Sequence, residues 1–220
     1  MKTKFMKKIF LLSILALGLG ISGQAYADYS DAFKNGIMQE LLNITSSSQG
    51  NSYGKSSLTF TQDGSTDGLE TLVASYPKSQ HKEVRASLKQ LYEAFPQVAR
   101  SVGIPTNDLS SAVAAVIAGA YMAYNNISLN DDYVKPMANQ FKAHLENSGF
   151  FDGMSNREKK SMYDQMVMVG MTLAVGQSLN QSNPNSQTTA QLREAGKQIL
   201  EAILKVDADR VRITAQGISY

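Results

Sequence analysis

Ser155-Asn156-Arg157-Glu158 opens a stretch that runs without proline to Gln181, and its middle reads Met166-Val167-Met168-Val169-Gly170-Met171-Thr172-Leu173-Ala174-Val175-Gly176. Taken alone, that apolar run fits a buried strand or a buried helix. Two features favour the helix. Serine followed three residues later by glutamate is a capping box, in which each side chain satisfies a backbone donor that the first helical turn leaves without a partner. The stretch is also far longer than an ordinary strand. Thr172 is the only hydrogen-bonding side chain between Met166 and Gly176, so the helix is expected to be buried all round.

A second such helix precedes it. Ile104-Pro105 leads to Thr106, Asn107 or Asp108 as an N-cap, and nothing between Ala112 and Tyr124 is charged. Its small residues, Ala114, Ala115, Ala118 and Gly119, would let neighbouring backbones come close. These 13 residues rise only about 20 Å at the helical pitch, too little to span a membrane. Three amphipathic helices surround the pair. One covers Ser79 to Phe95, with Val84, Leu88, Leu91, Tyr92 and Phe95 on one face. Pro96 is expected to kink it or divide it from a short continuation through Val98 to Val102, and Gly103 to stop it. Another covers Asp132 to Ser148, where Pro136 is tolerable only in the first turn. The last covers Thr188 to Leu204. The fold class is therefore mainly all-α, an orthogonal or up-down bundle of about five helices. Arg210 to Thr214 alternates as a half-buried strand does, and Leu58-Thr59-Phe60-Thr61 is its expected partner in a small two-stranded ribbon.

Ahead of this body the chain has a different character. Lys2, Lys4, Lys7 and Lys8 precede an uncharged apolar run from Ile9 to Ile21, and Ala25-Tyr26-Ala27 before Asp28 has the small-x-small pattern that signal peptidase accepts. Residues 1–27 are thus read as a signal peptide cleaved between Ala27 and Asp28. Residues 28–68 are read as an N-terminal amphipathic helix (Phe33, Ile37, Leu41 and Ile44 on one face) followed by a flexible linker, and residues 69–220 as the helical domain. The localisation expected is periplasmic or secreted. With no cysteine, the chain lacks the residue that carries a lipoprotein's anchor.

The charge is +2 for the whole chain. Loss of residues 1–27 removes four lysines and no acidic residue, leaving a slightly acidic product. That argues against nucleic acid or an anionic membrane as partner, and no stable membrane insertion is expected once the signal is gone. The missing cysteines exclude thiol catalysis and thiolate metal sites, and leave stability to packing alone. The missing tryptophan removes the residue most used at binding hot spots.

Local chemistry is sparse. Asp63-Gly64-Ser65-Thr66-Asp67-Gly68 resembles the first half of a calcium loop, with Asp63, Ser65 and Asp67 as alternate oxygen ligands. The second half fails, because Ala74 stands where the bidentate glutamate belongs, and a polar turn is the plainer reading. Met162, Met166, Met168 and Met171 suggest Cu(I) ligation, but Met168 is turned about 160° from Met166, so they read as core. His81 and His144 read as surface or boundary residues. Asp131-Asp132 and Asp207-x-Asp209 read as helix-end carboxylates. No catalytic residue and no cofactor is expected.

Leu58-Thr59-Phe60-Thr61, Gly103-Ile104-Pro105-Thr106-Asn107-Asp108-Leu109 with the Ala-rich helix to Tyr121 and Tyr124, and Asp209-Arg210-Val211-Arg212-Ile213-Thr214 together resemble a family of uncharacterised secreted bacterial α-helical proteins, a domain of unknown function. The resemblance covers residues 58–217. It implies export and a helical fold and brings no catalytic residues. The function expected is an exported non-enzymatic domain that binds another macromolecule, a protein partner such as the target of an inhibitor or immunity-type protein. The rival readings are an envelope enzyme with a His/carboxylate site assembled by the fold, and a carrier of a small apolar ligand between helices.

Overall fold

The structure is a computed structural model that describes residues 57–149 and 151–220. The expected signal peptide, the 30–44 helix, the polar stretch through residue 56 and Phe150 lie outside the described residues. Among the described residues the chain forms α1 (Asp67–Ala74), α2 (His81–Val102), α3 (Leu109–Asn125), α4 (Val134–Ser148), α5 (Asn156–Ser182) and α6 (Ser186–Leu204), followed by β1 (Arg212–Thr214) and β2 (Gly217–Ser219). The fold is mainly helical with a small antiparallel sheet at the C-terminus. The helix beyond the expected five is α1, which starts inside the segment read as linker; Asp67 and Glu70 in its first turn complement the positive end of its dipole.

α3 is the central element. It buries every residue but Ala115, Tyr124 and Asn125 and packs against α4, α5 and α6. Small residues set the spacing. A β-carbon at Gly119 would run into the backbone of Gly170, one at Gly170 into the backbone of Ala115 and Val116, and one at Gly196 into that of Ala120 and Tyr124. α5 is buried from Met162 through Ser178, as its apolar run requires. Asp108 caps α3 by accepting the Ser110 N–H at 2.9 Å, and the Ser155/Glu158 capping box is formed, with Ser155 N–H donating to Glu158 Oε2 at 2.7 Å.

One expectation is narrowed and one is corrected. Of the kink or division expected at Pro96, the division does not occur: α2 is continuous through Val102. The turns on both sides of Pro96 bury Leu91, Phe95, Val98, Ala99 and Val102, and that packing offsets a proline cost of about 3 kcal/mol. The ribbon exists, but residues 58–61 are not part of it. β1 pairs with β2, with Arg212 opposite Ser219, Ile213 opposite Ile218 and Thr214 opposite Gly217. Gly217 has φ +102°, a backbone state that closes the tight turn after Thr214 and strongly favours glycine. The Ile218 N–H donates to Gln140 Oε1 at 2.6 Å, which fastens the ribbon to α4. No helix among the described residues is long and apolar enough to cross a membrane.

Candidate functional site

The segment before α1 is part of the body. Leu58 and Phe60 are buried while Ser57, Thr59 and Thr61 are exposed, the alternation of a strand with one face inward. Thr59 forms an isolated antiparallel bridge with Asp108, carried by Phe60 N–H on Asn107 O at 3.2 Å and Leu109 N–H on Leu58 O at 3.0 Å. This is where the piece expected to pair with β1 goes. α5 supplies the remaining fastenings. Asn156 grips Thr61 from both sides, accepting its N–H at 2.6 Å and donating to its carbonyl at 2.8 Å. Lys159 Nζ donates to Ser57 O at 2.6 Å, and Lys160 Nζ to Ser65 O at 2.8 Å. Residues 57–66 thus form a strap held across the N-terminal ends of α3 and α5. Asn156→Ala removes both bonds to Thr61 and should loosen the strap by about 1–2 kcal/mol, read as faster hydrogen exchange at the Phe60 and Leu109 amides with the α3 interior unchanged.

Beneath the strap lies the most concentrated polar chemistry among the described residues. Lys160 and Asp164, one turn apart on α5, pair at 2.5 Å with side chains 3% and 5% exposed. The Tyr92 ring from α2 lies 5.7 Å from Lys160 Nζ, and its hydroxyl is a further donor to Asp164. Next along α5, the Tyr163 ring sits 4.8 Å from that of Phe60 and 6.1 Å from that of Phe95. Burial pushes the Asp164 carboxyl above its ordinary range, opposed by the hydrogen bonds from Lys160 and Tyr92. Burial, with the Asp164 charge beside it, also pushes the Tyr92 hydroxyl far up, so it stays protonated. The sequence hides this pair. Lys160 and Asp164 have the spacing of a common exposed helical ion pair, and the strap that covers them depends on a tertiary contact.

The calcium candidates make different contacts. Asp63 accepts the Ser65 N–H at 2.9 Å, whereas Asp67 is held by Arg157 through Nε and, at 2.9 Å, through Nη2. Among the described residues no group of three or more histidine, aspartate or glutamate side chains could hold a metal ion. Met162, Met166, Met168 and Met171 all lie in the core. His144 is exposed. His81 Nε2 lies 2.8 Å from the Tyr76 carbonyl, and the neighbouring Glu70 carboxylate is taken by Arg85 at 2.8 and 2.7 Å. Asn130 caps the turn of Asp131 and Asp132, and Asp207 begins the turn Ala208–Arg210. An apolar cavity between α2, α3 and α5, lined in part by Phe95, Val98, Gly119 and Met171, measures about 30 Å³.

Acid stability follows from these pairings. Hydrogen bonds hold several carboxyls below their usual range: from Arg157 on Asp67, from Arg85 on Glu70, from Ser155 on Glu158 and from the Ser65 backbone on Asp63. Each such group stabilises the fold above its unfolded pKa, and the contribution fades as pH falls through the folded one. Asp164 has the opposite sign, since its raised value favours the fold at low pH and loses that effect as pH rises. Through the four lowered groups the melting temperature should fall as pH is lowered through the carboxylate range, with Asp164 opposing that fall. Arg157→Gln should shallow that slope, measured by calorimetry across the range.

A helical bundle with a strapped N-terminal edge and a C-terminal ribbon is the class defined by this architecture. Within that class, the chain belongs to the family of unknown function DUF6683, whose model matches residues 24–220. It matches no curated protein and no solved structure.

Proposed function

We propose that this is an exported, non-enzymatic protein that binds another macromolecule in the periplasm or outside the cell, with an inhibitor or immunity-type role as the finer form. The observation that carries the reading is the anchored strap. Lys159 fixes Ser57 and Asn156 fixes Thr61, so residue 57 is held at a defined point on the body. Ahead of it in the chain, Phe33, Ile37, Leu41 and Ile44 recur at helical spacing. A tethered amphipathic segment is a common recognition element, laying its apolar face into a partner's groove. The Lys2 to Asp28 pattern supports export. The carrier reading has the cavity against it, since about 30 Å³ is far below the several hundred Å³ that small-ligand sites need.

Affinity capture from a cell-envelope extract tests the proposal, using the protein beginning at Asp28 and its Phe33→Asp, Ile37→Asp, Leu41→Asp variant side by side. The expected result is a stoichiometric macromolecular partner retained by the first and lost by the second. A partner retained equally by both would remove the role given to the segment, and a clean monomer from both would remove the binding reading.

A further inference from the structure

Residues 57–63, the first part of the strap, fill a groove on the body and bring little chemistry of their own. Of these seven only Leu58 and Phe60 are buried, the Phe60 ring lying 4.8 Å from that of Tyr163. The hydrogen bonds that fasten residues 57–61 to the body fall on their backbone. Phe60 N–H donates to Asn107 O, Leu58 O accepts the Leu109 N–H, and Phe60 O accepts from Asn107 Nδ2 at 3.3 Å. Asn156 holds both backbone groups of Thr61, and Lys159 holds the Ser57 carbonyl. Backbone bonds combined with alternate side chains turned inward are how proteins accept an added strand. They ask of the occupant only an extended chain with apolar residues two positions apart.

We propose that this groove is a docking site for an extended segment of a partner protein, carrying an aliphatic residue and, two positions on, an aromatic one. The segment enters by displacing residues 57–63, which swing out about Gly64. That glycine has φ +74° and open space where a side chain would stand, which suits a hinge. The groove keeps its shape without the resident segment, because the helix ends beside it are capped by their own residues. Asp108 accepts the Ser110 N–H and hydroxyl at the start of α3, and Ser155 with Glu158 closes the start of α5. The Lys160 bond to the Ser65 carbonyl lies past the hinge, so the buried ion pair stays joined and charged. The incoming chain takes over the bonds to Asn107, Leu109 and Asn156, and its aromatic residue takes the place of Phe60 against Tyr163. This inference rests on the binding reading for the source of the segment and gives it a site on the body. Its test needs no cellular partner, so the two fail separately.

Fluorescence anisotropy with a labelled peptide of residues 57–63 tests the groove on the protein beginning at Asp28. In the Leu58→Ser, Phe60→Ser variant the resident segment no longer fills it, and saturable binding is expected. Binding to the unaltered protein should be at least about tenfold weaker, because its own segment competes at high effective concentration. A peptide with serine at both apolar positions should not bind. Hydrogen exchange of the α3 interior checks that the variant is folded, and the milder Phe60→Ala supplies the same comparison where it is not. Absence of saturable binding to a folded variant, or equal binding of the serine peptide, would overturn the proposal. So would an unaltered protein that is a dimer and that the two serines make monomeric, because that makes a second copy of this chain the occupant.

Discussion

Replacing Lys160 with methionine should destabilise the protein by about 3–5 kcal/mol, the usual result of removing one member of a buried ion pair. Asp164 would be left in a pocket where its side chain is 5% exposed, with the Tyr92 hydroxyl as its remaining donor and no cation in reach on its own helix turn. The strap would suffer too, since Lys160 also holds the Ser65 carbonyl. Two further results separate an unpaired charge from a merely shortened side chain. Burial already raises the Asp164 pKa, and loss of Lys160 raises it more, so the cost in the variant should shrink as pH falls and the carboxyl takes up a proton. The double variant Lys160→Met, Asp164→Leu should recover most of the loss, because an apolar pair of similar volume replaces a buried ion pair at little cost. Chemical denaturation of the three proteins at neutral and acid pH makes the comparison. Equal losses in single and double variants would mean that charge is not the cause.

Gly170→Ala should destabilise by about 1–3 kcal/mol, although helix propensity alone argues for a gain of about 1 kcal/mol from the same change in a helix interior. Sterics dominate because the atoms that would be struck are backbone. The new β-carbon would press on Ala115 O and C and Val116 Cα, so α3 and α5 would have to separate along their whole contact. Gly170→Val should cost more, at about 3 kcal/mol. Gly119→Ala tests the same crossing from the other side, where the obstacle is the backbone of Gly170. Thermal melts suffice, at roughly 2–4 °C per kcal/mol for a chain of this size. A rise in melting temperature on Gly170→Ala would contradict the close approach of these two helices.

How much of this could be read in advance depends on whether the signal is local. The two buried helices were legible because an uncharged, small-residue stretch and a capping box are properties of contiguous residues; the cap at Ser155 formed as expected, and of Thr106, Asn107 and Asp108 it is Asp108 that caps the other helix. Arg210 to Thr214 announced a strand for the same reason. Its partner was not legible from alternation, which says that a strand has two faces and not which neighbour pairs with it. Gly217, three residues past Thr214, was the available turn signal. Pro96 left a kink or a division open because propensity describes an isolated helix, whereas continuity depends on the turns on both sides of it, which are fixed by Leu91, Phe95, Val98 and Val102 in the core. Leu58 and Phe60 were legible as a short strand but hidden as part of the body by the polar residues around them. The Lys160 and Asp164 pair was the least visible, since its burial depends on that strap and on Tyr92 from another helix.

The most direct test of an exported, partner-binding body is the location and N-terminus of the protein in its native cell. N-terminal sequencing of the protein recovered from the envelope or the medium should begin Asp28-Tyr29-Ser30. Protein confined to the cytoplasm and still carrying residues 1–27 would contradict it.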